Sequence, residues 1–379
     1  MIINTNIKSG ENSFSKLSIF LKELDFKTPL VLVDKNLYEN SNYVKKTINE
    51  IIPKNLLFFY DYSFEPSYQM LDKMMNKIKV NDDFKEIDVI VGIGGGSAMD
   101  TAKGIAVLLK NSGAAINYKG FPEGINKPLP VICIPSTTGT GSEVVYNASF
   151  IDEESKIKMG INYIGNYPKL AILDPLVPST APMSVLASSG CDALVHSLES
   201  FMSIKSNEQV RFFSKQAYNL IISNMIPLLK GHGDLSHWQN MQWAAVYAMF
   251  ALSNSTSGPT GALSYYLGAN FKVNHGIAGG VFIGNICRYN HDNKYFDLSQ
   301  LYEGPDKDIL DEKSKSSLII KQIDSLLNLA KIPKDFGGFG VNKINIQGFN
   351  DFASQVKVAM DFNPVHIDSS RISELFIKI

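Results

Sequence analysis

Asp192 and His196 stand four residues apart within Gly190-Cys-Asp-Ala-Leu-Val-His-Ser-Leu-Glu-Ser-Phe-Met-Ser203. On a helix this spacing sends a carboxylate and an imidazole from one face, a turn apart. That is a geometry with which helices hold divalent cations. Taken alone, the pair is more often a residue that helps start a helix and an ordinary, partly buried histidine. A metal reading therefore needs another ligand and a cofactor cradle elsewhere in the chain.

A cradle is present at Gly92-Ile-Gly94-Gly95-Gly96-Ser97, which follows the apolar run Asp88-Val-Ile-Val and opens a helical segment. Without Cβ atoms the backbone can come close to a phosphate, and the free N–H groups and positive helix end favour the anion. A tight turn needing positive φ would also use glycine. The spacing is not G-x-G-x-x-G, and the loop lies about ninety residues into the chain, so the ordinary Rossmann order does not apply. Asp34 ends an earlier apolar run. There it can accept hydrogen bonds from an adenosine ribose and repel a 2′-phosphate, favouring NAD over NADP; a plain turn residue would look the same. Thr137, Thr138 and Thr140 bring hydroxyls into a second glycine-containing loop, suited to ribose, phosphate or nicotinamide amide.

The elements that must position these residues follow from periodicity. Residues 29–33, Leu56–Tyr60, 88–94, 129–134 and Leu170–Leu173 are short apolar runs, the pattern of strands covered on both faces. Helical segments are expected near 40–51, at 68–79 behind a Ser67 cap and at 98–110, so an open, mostly parallel α/β layer follows. A hairpin is expected through Asp152 and Glu153. From Pro182 the pattern turns helical at 183–203, 207–229 and 239–253, then turn-rich at 254–261, then helical again to roughly 290. We therefore expect an α/β domain over residues 1–180 and an all-α domain over 181–379.

Composition narrows the class. The 379 residues are 45% hydrophobic with a formal net charge of −1, so no basic excess draws nucleic acid or an anionic membrane. The apolar runs are too short to span a bilayer. The opening MIINTNIKSGENSF lacks the succession of a secretory signal, and three widely spaced cysteines argue against a disulfide framework. A cytoplasmic protein with buried thiols is expected, as a homo-oligomer, taken as a dimer.

Five motifs now add up. GIGGGSAMDTAK (92–103), IPSTTGTGSEV (134–144), LAILDP (170–175), GCDALVHSLES (190–200) and NHGIAGG (274–280) occur in the order seen in iron-containing alcohol dehydrogenases, which this chain resembles along essentially its whole length. The resemblance implies an N-terminal dinucleotide-binding α/β domain, a C-terminal all-helical domain and an active site in the cleft between them. Polyol dehydrogenases and 3-dehydroquinate synthase share that architecture. By position, Asp34 resembles the residue that selects NAD. Gly94, Gly95, Gly96 and Ser97 look like the pyrophosphate loop, with Asp100 and Lys103 just inside the following helix. Thr137, Thr138, Thr140 and Lys158 fall where family members contact the cofactor.

Asp192, His196 and His275 match three of the family's four metal ligands. The fourth, a histidine fourteen residues before His275, is here Gly261, and a second family histidine near the substrate is Tyr265. Asn254, Ser257, Asn274 and Asn285 are the nearby alternatives in sequence. The segment Ala262-Leu-Ser-Tyr-Tyr-Leu-Gly268 looks more like the branch with phosphonoacetaldehyde reductases and 3-deoxy-octulosonate 8-oxidases, which favours small anionic substrates.

The implied activity is reversible hydride transfer between nicotinamide and a small alcohol or aldehyde, with Fe(II) or Zn(II) in a weakened site. Without an ion, His275, Tyr265 and Lys158 are the candidates to polarise the substrate oxygen, and His196 is a possible proton relay. The alternative is a catalytically retired protein that binds dinucleotide as a sensor or assembly partner.

Overall fold

Apolar runs without polar alternation need cover on both faces, and the first half of the chain supplies it. The computed structural model describes residues 4–52, 56–61, 65–80, 82–155, 157–336 and 346–376. The chain divides after Pro182 into two compact units. In the first, the strands are β1 (Asn6–Ser9), β2 (Pro29–Asp34), β3 (Leu57–Tyr60), β4 (Val89–Gly94), β5 (Val131–Pro135), the short pair β6 (Asn147–Ala148) and β7 (Ile161–Asn162), and β8 (Leu170–Leu173). The helices are α1 (Leu17–Glu23), α2 (Lys35–Asn40), α3 (Asn42–Ile51), α4 (Tyr68–Lys79) and α5 (Gly96–Leu108). Six strands form one sheet in the order β1-β8-β5-β4-β2-β3, every neighbouring pair parallel. Ser67 caps α4, its hydroxyl accepting from Met70 N at 3.0 Å.

In this unit two elements depart from the sequence expectation. Strand β1 was not anticipated: its residues, Asn-Ile-Lys-Ser, carry almost no apolar pattern, and the backbone ladder to β8 holds it at the sheet edge. The hairpin through Asp152 and Glu153 is slight. It consists of the Asn147↔Asn162 and Ala148↔Ile161 pairs and an Ile151–Lys158 bridge.

The second unit contains α6 (Met183–Met202), α7 (Glu208–Leu229), α8 (Leu235–Ser253), α9 (Pro259–Phe271), α10 (His275–Asp292), α11 (Glu312–Leu329), α12 (Ile346–Gln355) and α13 (Lys357–Met360). Helix α8 begins four residues earlier than its apolar period suggests. Asp234 accepts from Ser236 N and His237 N while its own N–H donates to His237 Nδ1, so His237 belongs to the cap of α8. Helix α9 begins inside the stretch expected to be turns, with Gly258 at its cap and Pro259 at its first position. Among the described residues no helix is long and apolar enough to cross a membrane. Cys133, Cys191 and Cys287 are buried free thiols, pushed up to about 12 by burial.

Helix α5 is tied to the loop after β5 by a buried ammonium. Lys103, fully inaccessible, donates to Ser142 O at 2.7 Å, Ser142 Oγ at 2.7 Å and Asn147 O at 2.9 Å, with Asp100 Oδ1 at 3.5 Å. Next to Ser142, Glu143 is buried, and loss of hydration raises its carboxyl to about 7, against its own backbone N–H and the Lys103 charge. The folded state therefore prefers the protonated acid. That preference is harmless below the ordinary carboxylate pKa and becomes a loss of stability as pH rises through about 7. Glu143→Gln cannot ionise, so its stability should gain on the wild type by on the order of 2 kcal/mol between about pH 5 and pH 8. Urea unfolding of both proteins at the two pH values checks this; parallel pH profiles would refute it.

Candidate active site

Parallel register brings the carboxyl ends of neighbouring strands together: Asp34 pairs with Tyr60, Val33 with Ile93, and Gly94 with Pro135. In open α/β sheets such strand ends are where ligands bind. Gly94 has φ +153°, and a Cβ there would stand 2.8 Å from Ala98 Cβ and 3.0 Å from Asp34 Cβ. A Cβ on Gly95 would meet Thr137 Cγ2 at 3.3 Å, and one on Gly96 would meet Thr140 Cγ2 at 2.7 Å. The glycine loop, Asp34, Thr137 and Thr140, spread over a hundred residues of sequence, thus form one neighbourhood. No side chain caps α5, so its positive end faces the glycine loop without an internal acidic partner.

The members differ in what they have left to offer. Asp34 Oδ1 accepts from Leu37 N at 2.9 Å and caps α2; burial raises its carboxyl, opposed by the Leu37 and Asn36 N–H groups. Thr137 and Thr140 are half-buried, but Thr138 is fully buried. Asp100 is engaged inward, accepting from Ser142 Oγ at 2.6 Å and Ser149 N at 2.9 Å, so it fixes the second loop to α5. Lys158 Nζ pairs with Glu65 Oε1 at 2.9 Å. Tyr60 was missed by the sequence reading: its phenol, at the end of β3, hydrogen-bonds the Ser97 side chain.

In the helical unit, Asp192 lies mid-helix in α6, not at its start, and is nearly buried. His196 Nε2 stands 3.5 Å from Asp192 Oδ1, and His275 Nε2 stands 4.0 Å from the same oxygen. His196 Nδ1 is buried without a hydrogen-bond partner. His275 reaches this place because α10 starts hard against α6. A Cβ on Gly276 would overlap the Ser188 carbonyl oxygen and lie 3.1 Å from Asp192 Cβ. Asn274 caps α10 by accepting from Gly276 N at 3.1 Å, and the Ser188 hydroxyl donates to the same Asn274 oxygen. The Tyr265 ring stacks on His275, centroids 5.0 Å apart and planes 26° from parallel.

Position 261 offers no donor. A Cβ there would overlap Ser257 Oγ and approach Glu199 Oε2 to 3.2 Å. Nor do its sequence neighbours stand free. Asn254 Nδ2 donates to Phe250 O, Ser257 donates to Glu199, Asn274 caps α10, and Asn285 is held by Val281 O and Arg288. His291, sixteen residues after His275, is bonded to Ser316 and Ser317 at 3.0 and 3.2 Å. Asp192 with two imidazoles approaches a ligand set, yet among the described residues no three His, Cys, Asp or Glu side chains form a group that could hold a metal ion. Gly261 adds no donor, so Asp192, His196 and His275 as placed here do not make up a site for a resident ion.

Sequence reasoning also passed over Glu199. It is buried, its carboxyl is raised by loss of hydration, and the Gly258, Gly261 and Thr260 N–H groups oppose that rise. An acidic residue in a helix otherwise buried around its circumference was the available signal. Taken together, the first unit gathers a glycine loop beside an acidic residue and two threonines, and the other unit stacks a phenol on an imidazole.

Residues 4–175 match the profile of iron-containing alcohol dehydrogenases, and residues 186–379 match the C-terminal profile of the Fe-containing alcohol dehydrogenase family. The chain is 28% identical over 374 residues to a 1,3-propanediol dehydrogenase of Citrobacter freundii, covering 97% of this chain and 95% of that one. Its fold matches a 1,3-propanediol oxidoreductase with TM-score 0.87 at 24% identity, over 99% of this chain and 98% of the other. It matches a sulfoacetaldehyde reductase from Bifidobacterium kashiwanohense, solved in complex with NAD+, with TM-score 0.85 at 20% identity, over 99% and 96% of the two chains. With both halves of the sequence matched and the α/β and helical units in place, the chain belongs to the iron-containing alcohol dehydrogenase family.

Proposed function

We infer that this oxidoreductase catalyses reversible hydride transfer between NAD(H) and a small primary alcohol or its aldehyde. The observation that carries the reading is the meeting of Asp34, Gly94–Ser97, Thr137 and Thr140 at the strand ends. The glycine loop and the start of α5 suit the pyrophosphate, and the Asp34 carboxylate suits a ribose hydroxyl over a 2′-phosphate. The 1–180 half is thus assigned to the dinucleotide, with Asp100 and Lys158 as supports of that site, and the 181–379 half to the substrate.

In the reductive direction the C4 hydride passes to the carbonyl carbon, the C=O bond becomes C–O, and the oxygen takes a proton; oxidation reverses each step. The cofactor carries the hydride chemistry, while the protein orients the two carbons and stabilises charge at oxygen. His275 and Tyr265, stacked on each other, are the donors assigned to that oxygen. We put forward small aldehydes bearing an anionic group, of phosphonate or sugar-acid type, as the substrate class, on the strength of the Ala262–Gly268 segment. The protein is placed in the cytoplasm as a homodimer, which light scattering on the purified chain would check.

One observation favours a residual metal function at Asp192, His196 and His275: both imidazole Nε2 atoms flank one oxygen of Asp192, at 3.5 and 4.0 Å. One carboxylate and two imidazoles are donor types that Fe(II) or Zn(II) accepts, but as placed here they fall short of a resident site. With the fourth ligand missing, protein purified without chelators should hold less than about a tenth of an equivalent of iron, zinc, nickel or manganese, and EDTA should leave its turnover unchanged. Stoichiometric metal with EDTA-sensitive turnover would show that the three side chains suffice.

Cofactor choice has its own test. Asp34→Asn keeps an acceptor for the α2 cap but removes the charge, so the kcat/KM ratio for NADPH over NADH should rise roughly tenfold or more. An unchanged ratio would remove Asp34 from the cofactor site. NADH binding seen by fluorescence, with no oxidation against a broad aldehyde panel with or without added metals, would favour the retired dinucleotide-binding protein instead.

A further inference from the structure

Glu199 takes no part in the scheme above, yet it is a buried ionisable side chain. It is 4% exposed, one helical turn beyond His196 on α6. Its partners are the backbone of another helix. Oε2 accepts from Gly258 N at 3.0 Å and Gly261 N at 3.2 Å, Oε1 accepts from Thr260 N, and the Ser257 hydroxyl lies 3.5 Å from Oε2. These N–H groups belong to the start of α9, which has no side-chain cap from its own segment. A helix start offers orphan donors and a positive end, and a buried carboxylate needs both.

The bond therefore does more than end a helix neatly. It fastens the first turn of α9 to α6 next to the turn that carries Asp192 and His196. Tyr265 lies four residues after Gly261, on the same face of α9. Its ring in turn stacks on His275. We propose that Glu199 is a positioning residue: by capping α9 from α6 it sets where Tyr265 stands over His275, and thereby where the two donors meet the substrate oxygen. The proposal rests on the assignment of Tyr265 and His275 to the reaction.

The test reads geometry and turnover separately, on the full-length protein as purified. With histidine labelled at Cε1, the His275 resonance is identified by its loss in His275→Asn, and Tyr265→Leu gives its position without the stacked ring. In Glu199→Gln an amide N–H replaces one acceptor facing the α9 backbone. The resonance should then move more than roughly half of the way to the Tyr265→Leu position, and kcat for aldehyde reduction should fall roughly tenfold with KM for NADH unchanged within about twofold. Glu199→Asp keeps the charge on a shorter arm, and part of the same displacement is expected from it. It serves as the deciding variant if Glu199→Gln fails to fold. A folded variant with a lowered unfolding midpoint but an unmoved His275 resonance would make Glu199 a stabilising cap only and overturn the proposal. A wild-type protein without turnover would sink the dehydrogenase reading while leaving the resonance arm to decide the positioning claim.

Discussion

A charge taken out of water has to be met by fixed polar groups, and in this chain three buried ionisable side chains are met largely by the backbone. Lys103 is surrounded by the carbonyls of Ser142 and Asn147, and Glu199 by the N–H groups of Gly258, Thr260 and Gly261. Asp174 is fully buried and accepts from Phe14 N, Leu176 N and the Tyr43 hydroxyl. Each of these joins segments far apart in sequence. Losing one leaves several backbone groups unpaired at once, about 1–3 kcal/mol apiece, so the loops and helix starts they hold are not free to drift.

The same constraint separates support from chemistry among the residues of the motifs. Asp100 and Lys103 belong to the most recognisable glycine motif, yet their polar atoms are spent on the loop after β5. Asp34, Thr137 and Thr140 stand at the glycine loop and keep some exposure. In the helical unit, the close seat of Gly276 on Ser188 delivers His275 to Asp192, while Ser257 and Glu199 occupy the space beside Gly261. A histidine at 261 would need Ser257 to give way. Glycine at 261 is thus tied to local packing as well as to the absence of a donor.

Much of the fold was legible because burial writes itself into apolar period. The runs at 29–33 and 88–94, and the helices at 183–203 and 207–229, are where the pattern put them, within the usual uncertainty of ends. What escaped was held by partners distant in sequence. Strand β1 has a ladder but almost no apolar pattern. Helix α9 starts amid Asn, Ser, Gly and Pro because its cap comes from α6. Helix α8 could have been read correctly, since Asp234 and His237 form a local capping box; its apolar period simply begins later than its backbone.

Residue types and their spacing were enough, by themselves, to determine a parallel α/β half and a helical half, a glycine loop at a strand-to-helix junction with an acidic neighbour, and family membership. Local order governs such features, because a strand, a cap or a glycine turn depends on residues within a few positions of one another. Only the tertiary structure decided which polar side chains are consumed in holding the fold: Asp100 and Lys103 inward, Lys158 on Glu65, Tyr265 over His275, Glu199 under α9. A side chain's remaining hydrogen-bonding capacity depends on neighbours tens of residues away, and spacing along the chain carries no record of them.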